Sequence, residues 1–75
     1  MRPHEAIEVF RQQAERLIAQ RGRQNYQDAC KYLAKIRVLY KKLGECEVWA
    51  SYITALYEQN RNLRALKEEW TNAGL

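Results

Sequence analysis

The chain contains few of the residues that interrupt helices. Its 75 residues include only three glycines and one proline, and these two residue types are the least favourable in a helix interior. The chain is also close to the smallest size at which a hydrophobic core stabilises a domain without further support. Hydrophobic residues make up 47% of the sequence, as in globular domains rather than disordered segments. We therefore expect a single helical domain over residues 1–75.

Cysteine and histidine are scarce as well. Cys30 and Cys46 are the only cysteines, and the one histidine, His4, is far from both in sequence, so a structural zinc site is not expected. The N-terminus carries charge where a secretory signal has an apolar run. The longest uncharged stretch, residues 48–57, is shorter than the ~20 residues that cross a bilayer. We expect a cytoplasmic protein without membrane, metal or cofactor, in which both cysteines are small packed thiols.

The residue patterns typical of catalysis are missing from this sequence. No serine or cysteine stands near a suitable base, no carboxylate pair indicates a pocket, and no glycine-rich stretch resembles a phosphate loop. His4 and Glu5 are the one acid–base combination, but adjacent residues on a helix do not face each other. We therefore expect neither an enzyme nor a small-molecule substrate.

Apolar residues recur at steps of three and four, which is the period of an amphipathic helix. The first helix is predicted to begin at Pro3 and to end at Gly22, a left-handed stop. The second is predicted to have Asn25 as its N-cap, with Asp28 as capping-box partner, and to end at Gly44. The apolar tracks are Ile7, Phe10, Ala14 and Leu17 in the first helix and Tyr26, Ala29, Leu33, Ile36, Tyr40 and Leu43 in the second.

The same spacing continues through the second half of the chain. Because no glycine or proline interrupts it, we predict one long helix from about Glu45 to about Asn72. A break near residues 60–62, which would give four helices, is the alternative. Gln59 is the one polar residue in this track, and we expect a surface position near a bend; the alternative is a buried polar residue that sets register or oligomeric state. The track is Trp49, Tyr52, Leu56, Gln59, Leu63, Leu66 and Trp70.

The predicted fold is all-α, an antiparallel three-helix bundle, or four helices if the third is broken near residues 60–62. An unbroken third helix would span ~40 Å, against ~28 Å for the first, at 1.5 Å per residue. Its last turns would then extend beyond the bundle, and such apolar surface indicates a protein partner, a second copy or a missing neighbouring segment. The residues predicted to form this protein interface are Leu63, Leu66, Trp70, Val48 and Tyr57.

The second helix carries basic residues on the side opposite its apolar track, which we call its back. The net charge of the chain is +4, with nine acidic residues, which permits an anionic partner without requiring one. A solvated surface is the simpler interpretation of this back, and contact with nucleic-acid phosphates is the alternative. The tyrosines of this helix are expected on its buried arc, where they could not stack on bases. The basic residues are Lys31, Lys35, Arg37, Lys41 and Lys42.

Several stretches resemble the C-terminal helical region of bacterial proteins that carry a SWIM-type zinc finger upstream. They are AIEVFRQQAERLIAQRGRQNY, Y-x-x-A-x-x-Y-L-x-K-x-R-x-L-Y from Tyr26 to Tyr40, W-x-x-Y-I-x-x-L from Trp49 to Leu56, and NRNLRAL. The resemblance covers roughly residues 5–75 and rests mainly on core and helix positions. The helix pair NYQDACKYL…LYKKLGE is also similar to a tetratricopeptide (TPR) unit in its packing. A second 34-residue copy is missing, however, and the large residues Tyr52 and Ile53 lie where that repeat has a small one beside Trp49.

The resemblance implies that this chain is a C-terminal piece of a larger protein whose zinc finger lies elsewhere. Fingers of this group are supposed to bind DNA or proteins, and none of their ligand spacing occurs here, so no zinc is expected in this chain. The expected function is that of a non-catalytic helical module for protein–protein contact or self-association. Binding of the nucleic-acid backbone through the basic back of the second helix is the alternative.

Overall fold

The computed structural model describes residues 2–75, which form four α-helices and no strand. The helices are α1 (Pro3–Gln20), α2 (Arg23–Lys42), α3 (Cys46–Gln59) and α4 (Arg64–Asn72). The all-helical prediction is confirmed. The single long third helix is wrong, and the alternative break near residues 60–62 is present. None of the four helices has the length and apolar composition needed to span a membrane.

The break between α3 and α4 begins at Asn60. Its side-chain Nδ2 donates to the carbonyl of Leu56 at 2.9 Å, and its backbone leaves the helical region at φ −119° and ψ 20°. Asparagine competes for backbone hydrogen bonds in this way and therefore favours helix ends over helix interiors. The apolar spacing of three and four continues across the break, so periodicity alone does not reveal it.

The turn between α1 and α2 is short and left-handed. Arg21 and Gly22 both have positive φ, at 60° and 107°. The predicted helix start at Pro3 is confirmed. The predicted stop at Gly22 is wrong, because α1 ends at Gln20 with Arg21 as its C-cap and Gly22 is instead the N-cap of α2. The predicted N-cap at Asn25 is wrong, because α2 already begins at Arg23. Asn25 lies in its first turn and donates through Nδ2 to the carbonyl of Arg21 at 2.7 Å.

The helices alternate in direction around α2. His4, near the start of α1, contacts Glu45 beyond the end of α2 at 2.8 Å, so α1 and α2 are antiparallel. Glu69 of α4 lies 3.0 Å from Arg23 at the start of α2. The carbonyl of Gly74 lies 3.0 Å from Arg37 further along, so α4 follows the direction of α2. The core residues are Ile7, Ala14, Ile18, Tyr26, Ala29, Cys30, Leu33, Ile36, Tyr40, Leu56, Leu66 and Trp70.

The ends of α2 and α4 have the same backbone geometry. Gly44 follows α2 with φ 71° and Gly74 follows α4 with φ 74°. In both, the glycine N–H donates to a carbonyl three residues back and the next N–H donates to one five residues back, at 2.9 to 3.2 Å. This is the Schellman arrangement, in which a left-handed glycine satisfies the last carbonyls. The predicted helix stop at Gly44 is therefore confirmed.

Candidate interaction surfaces

Some residues of the predicted protein interface lie in the core of the structure and others lie on its surface. Leu66 and Trp70 are 2% and 5% exposed, and Leu63 is half-buried. The prediction that Leu66 and Trp70 lie on an uncovered surface is wrong, because the chain turns after Asn60 and α4 packs against α2. Val48 and Tyr57 remain exposed, at 47% and 38%.

The uncovered apolar residues lie mainly on α3. Nine of its fourteen residues are hydrophobic, yet only Leu56 is buried. Its only charged residues, Glu47 and Glu58, are exposed. We define the α3 outer face as the exposed residues at spacings of three and four that point away from Leu56. They are Glu47, Ala50, Ser51, Thr54, Ala55 and Glu58, and Val48 and Tyr57 flank them. Gln59 is exposed at the end of the helix, as expected for a surface position near a bend.

A shallow groove lies between α3 and the end of α4. Its volume is about 460 Å³, and Ile53, Tyr57, Trp70 and Leu75 supply its apolar lining. The Tyr57 and Trp70 rings meet edge to face at 5.8 Å, and the Lys67 ammonium lies 5.6 Å from the centre of the Tyr57 ring. Tyr57 is therefore held in place between the groove and solvent. The groove adjoins the α3 outer face.

The five predicted basic residues are all exposed, but they do not form one surface. Lys31, Lys35 and Lys42 follow one another at helical spacing along the back of α2, with Val38 among them at 48% exposure. We call Lys31, Lys35, Val38 and Lys42 the lysine row. Arg37 lies on the side of α2 that faces α4, where its Nη1 donates to the carbonyl of Gly74 at 3.0 Å. Arg37 thus supports the end of α4.

An aromatic cluster borders the lysine row. Phe10 and Tyr32 are half-buried with ring centres 5.9 Å apart. The Lys35 ammonium lies 5.6 Å from the Phe10 ring centre and 5.5 Å from the Tyr32 ring centre, within the range of cation–π attraction. Tyr26 and Tyr40 are buried as predicted, but Tyr32 is only partly so. The sequence does not reveal this cluster because it joins two helices.

The two cysteines have different surroundings. Cys30 is buried, and loss of hydration, with the charge of Glu69 adding to it, raises the pKa of its thiol to about 11. Such a thiol is protonated and unreactive at neutral pH. Cys46 is exposed at the start of α3, so the expectation of a packed thiol is confirmed for Cys30 and wrong for Cys46. Among residues 2–75, no three histidine, cysteine or acidic residues come together as a metal site.

Tyr52 links α3 to α1. Its hydroxyl donates to Oε2 of Glu15 at 3.2 Å. Burial, followed by the negative charge of Glu15, raises the pKa of Tyr52 above its usual range. The Arg11 guanidinium lies 5.6 Å from the centre of the Tyr52 ring. These contacts fix α3 along α1 by its inner side and leave the outer face without a neighbour in the described part of the chain.

Comparison with known proteins relates this chain to part of a longer bacterial protein. The chain is 39% identical over 67 residues to the "Uncharacterized protein YwqB" of Bacillus subtilis (strain 168). The matched part covers 89% of this chain and 12% of that protein, so the chain spans about an eighth of the length of the relative. No family model matches the chain, and no solved structure matches it.

Proposed function

We propose that this chain is a non-catalytic helical module that mediates protein–protein contact or self-association through the α3 outer face and the adjoining groove. The observation that supports this is the mismatch on α3, where nine of fourteen residues are hydrophobic and one is buried. A helix that apolar is ordinarily covered on more than one side. Val48 and Tyr57, from the originally predicted interface, flank the face, while Leu66 and Trp70 support α4 from within.

We further propose that the module is cytoplasmic and forms the C-terminal region of a larger bacterial protein of the SWIM zinc-finger group. The sequence resemblance supports the group and the C-terminal position. The likeness to a short segment of a much longer bacterial protein supports only the membership of a larger protein. We also propose TPR-like packing. The alternating helix directions and the common glycine endings of α2 and α4 support this comparison.

Site-specific photo-crosslinking tests the proposed interface. A photoreactive amino acid at Val48 or Tyr57, in cells that make the protein naturally, is expected to give discrete adducts. The matched control is Val9 of α1, which is exposed to a similar extent at 44% but lies off the interface. Adducts at Val48 and Tyr57 but not at Val9 would support the proposal. Equal labelling at all three positions, or none at the α3 positions, would overturn it.

Binding of nucleic-acid phosphates is the second candidate. It is favoured by the lysine row, where among the described residues only Lys31 has a carboxylate within 4 Å, that of Asp28 at 3.9 Å. Each neutralised phosphate would make the slope of the logarithm of the binding constant against the logarithm of the salt concentration steeper by ~0.9. Fluorescence anisotropy with a labelled duplex at ~50 mM salt should then show binding that Lys31→Glu with Lys42→Glu removes. No anisotropy change with duplex or single strand would exclude this candidate.

A further inference from the structure

The α3 outer face begins and ends with a carboxylate. Glu47 and Glu58 are eleven residues apart and both exposed. At 1.5 Å per residue their backbone positions are ~16 Å apart along the helix, and eleven residues is close to three full turns, so they lie on the same side. The exposed residues between them are uncharged and mostly small, which allows a second helix to approach closely. Glu58 has one loose partner, Arg61 at 3.9 Å.

The lysine row has the same dimensions with the opposite charge. Lys31 and Lys42 are also eleven residues apart, both are exposed, and Val38 presents an apolar side chain between them. The row lies on the side of α2 opposite to its buried residues, and α3 packs on the buried side. The chain therefore displays two complementary surfaces on opposite sides, with matched length and reversed charge.

We propose that the α3 outer face of one copy of this chain packs against the lysine row of a second copy. Glu47 and Glu58 then pair with Lys31 and Lys42 at the two ends of the contact, in either helix orientation, while Val38 lies against the small residues of α3. This assignment rests on the proposed function and names its partner as the chain itself.

Charge excludes the symmetric alternatives. Two α3 outer faces packed antiparallel would place Glu47 of each copy beside Glu58 of the other, and two lysine rows would place lysines together. Like charges in such positions disfavour the complex. The contact is therefore heterologous. In a pair, one copy keeps its lysine row unused and the other keeps its α3 outer face unused, so association continues beyond the dimer.

The contact is small and electrostatic, which sets its expected strength. A single helix pair of about three turns covers less surface than the ~1,200 Å² at the lower end of stable protein interfaces. The complex should therefore be transient and concentration-dependent. Its ion pairs are exposed, so added salt should weaken it through screening.

Sedimentation equilibrium on the purified chain at low salt tests this assignment. Across roughly 20 µM to 1 mM, the range in which a weak contact with a Kd between about 1 µM and 1 mM is populated, the average mass should rise from 8.9 kDa past that of a dimer. Glu47→Lys with Glu58→Lys should leave a monomer, and so should Lys31→Glu with Lys42→Glu. An equimolar mixture of these two variants restores opposite charge across the contact and should associate again.

Two controls separate specific pairing from net charge. Glu5→Lys with Glu8→Lys, and Arg2→Glu with Arg16→Glu, change the net charge by the same amounts at exposed positions in α1 or directly before it and should leave association unchanged. A monomeric wild-type chain, a dimer that grows no further, or failure of the mixed variants to associate would each overturn the assignment. If the purified chain is monomeric while Val48 and Tyr57 crosslink to a different protein in cells, the proposed function stands and self-association is wrong. Association of the purified chain that requires added nucleic acid would also overturn the assignment of a second copy as the partner.

Discussion

Helices α2 and α3 differ in opposite directions in their charge content and in the burial of their side chains. Seven of the twenty residues of α2 are charged, and six of its hydrophobic residues are buried. Only two of the fourteen residues of α3 are charged, yet only one of its hydrophobic residues is buried. The more polar helix is thus the more buried. The number of apolar residues in a helix therefore does not decide its burial; the fraction of its surface that other helices cover does.

The physical reason is the position of α2 at the centre of the fold. Its apolar residues are confined to one arc, and the other three helices pack on or beside that arc. The apolar residues of α3 are spread around the helix, from Trp49 and Tyr52 on the inner side to Val48, Ala50 and Ala55 outside. The helices that α3 contacts, α1, α2 and α4, lie on its inner side and cover only part of such a surface. The remainder is the strongest indication of function in this chain.

Truncation of a buried leucine in α2 should give the largest loss in the free energy of unfolding, and the same truncation in α3 should give a smaller one. Leu33 of α2 is fully buried, so Leu33→Ala should lower the free energy of unfolding by about 4 kcal/mol, in the upper part of the range for buried leucines. Leu56→Ala in α3 should lower it by roughly 2 to 3 kcal/mol, because fewer neighbours surround the cavity. Urea denaturation followed by circular dichroism gives both values.

Val38→Ala on the exposed back of α2 is the control for this comparison and should change stability by less than about 0.5 kcal/mol. Equal losses for Leu33→Ala and Leu56→Ala would mean that α3 is covered as fully as α2, which would contradict the uncovered surface.

Trp70→Ala tests whether α4 belongs to the core. Trp70 is 5% exposed and meets Tyr57 edge to face, so its truncation should cost about 3 kcal/mol, at the low end for buried tryptophan because it lies near the chain end. A loss below about 1 kcal/mol, similar to that of an exposed residue, would indicate that α4 does not pack on α2. Chemical denaturation measures the loss, and Tyr57→Phe, which keeps the ring, is the matched control.

The Cys30 thiol should make stability sensitive to high pH, with a smaller effect than the truncations of Leu33, Leu56 and Trp70. The pKa of Cys30 is raised from 9.0 to about 11 in the folded chain, so unfolding releases a proton between these values. Stability is therefore full below pH 9 and falls as pH rises from 9 to 11. Denaturation midpoints across this range should fall less steeply for Cys30→Ala than for wild type. Equal slopes for the two proteins would show that the Cys30 thiol does not contribute.

Local signals in the sequence predicted most of the helix boundaries. Pro3 and Gly44 act through their own backbone preferences, which need no distant contact. Asn60 acts locally too, but its signal is weaker than that of a glycine or proline, and the continuing apolar period concealed it. The exposure of the five basic residues of α2 could also be predicted, because their positions on the helix follow from spacing alone.

The surfaces were less predictable than the helices. The role of Arg37 at the end of α4, the Lys35 contact with Phe10 and Tyr32, and the His4–Glu45 pair all join residues far apart in sequence. None has a local signature. One unbroken helix would carry Leu66 and Trp70 past the bundle, so the apolar spacing alone predicts that they lie on the surface.

The order of residues along the chain is enough to predict that this protein forms amphipathic helices, several of their ends, and which side of α2 is charged. These features depend on neighbours within a few residues of each other along the chain. Only the tertiary structure decided that α4 turns back onto α2, which buries Leu66 and Trp70 and leaves the outer face of α3 uncovered. That choice depends on which apolar surfaces can cover one another in space, and helical period carries no information about the direction a chain takes after Asn60.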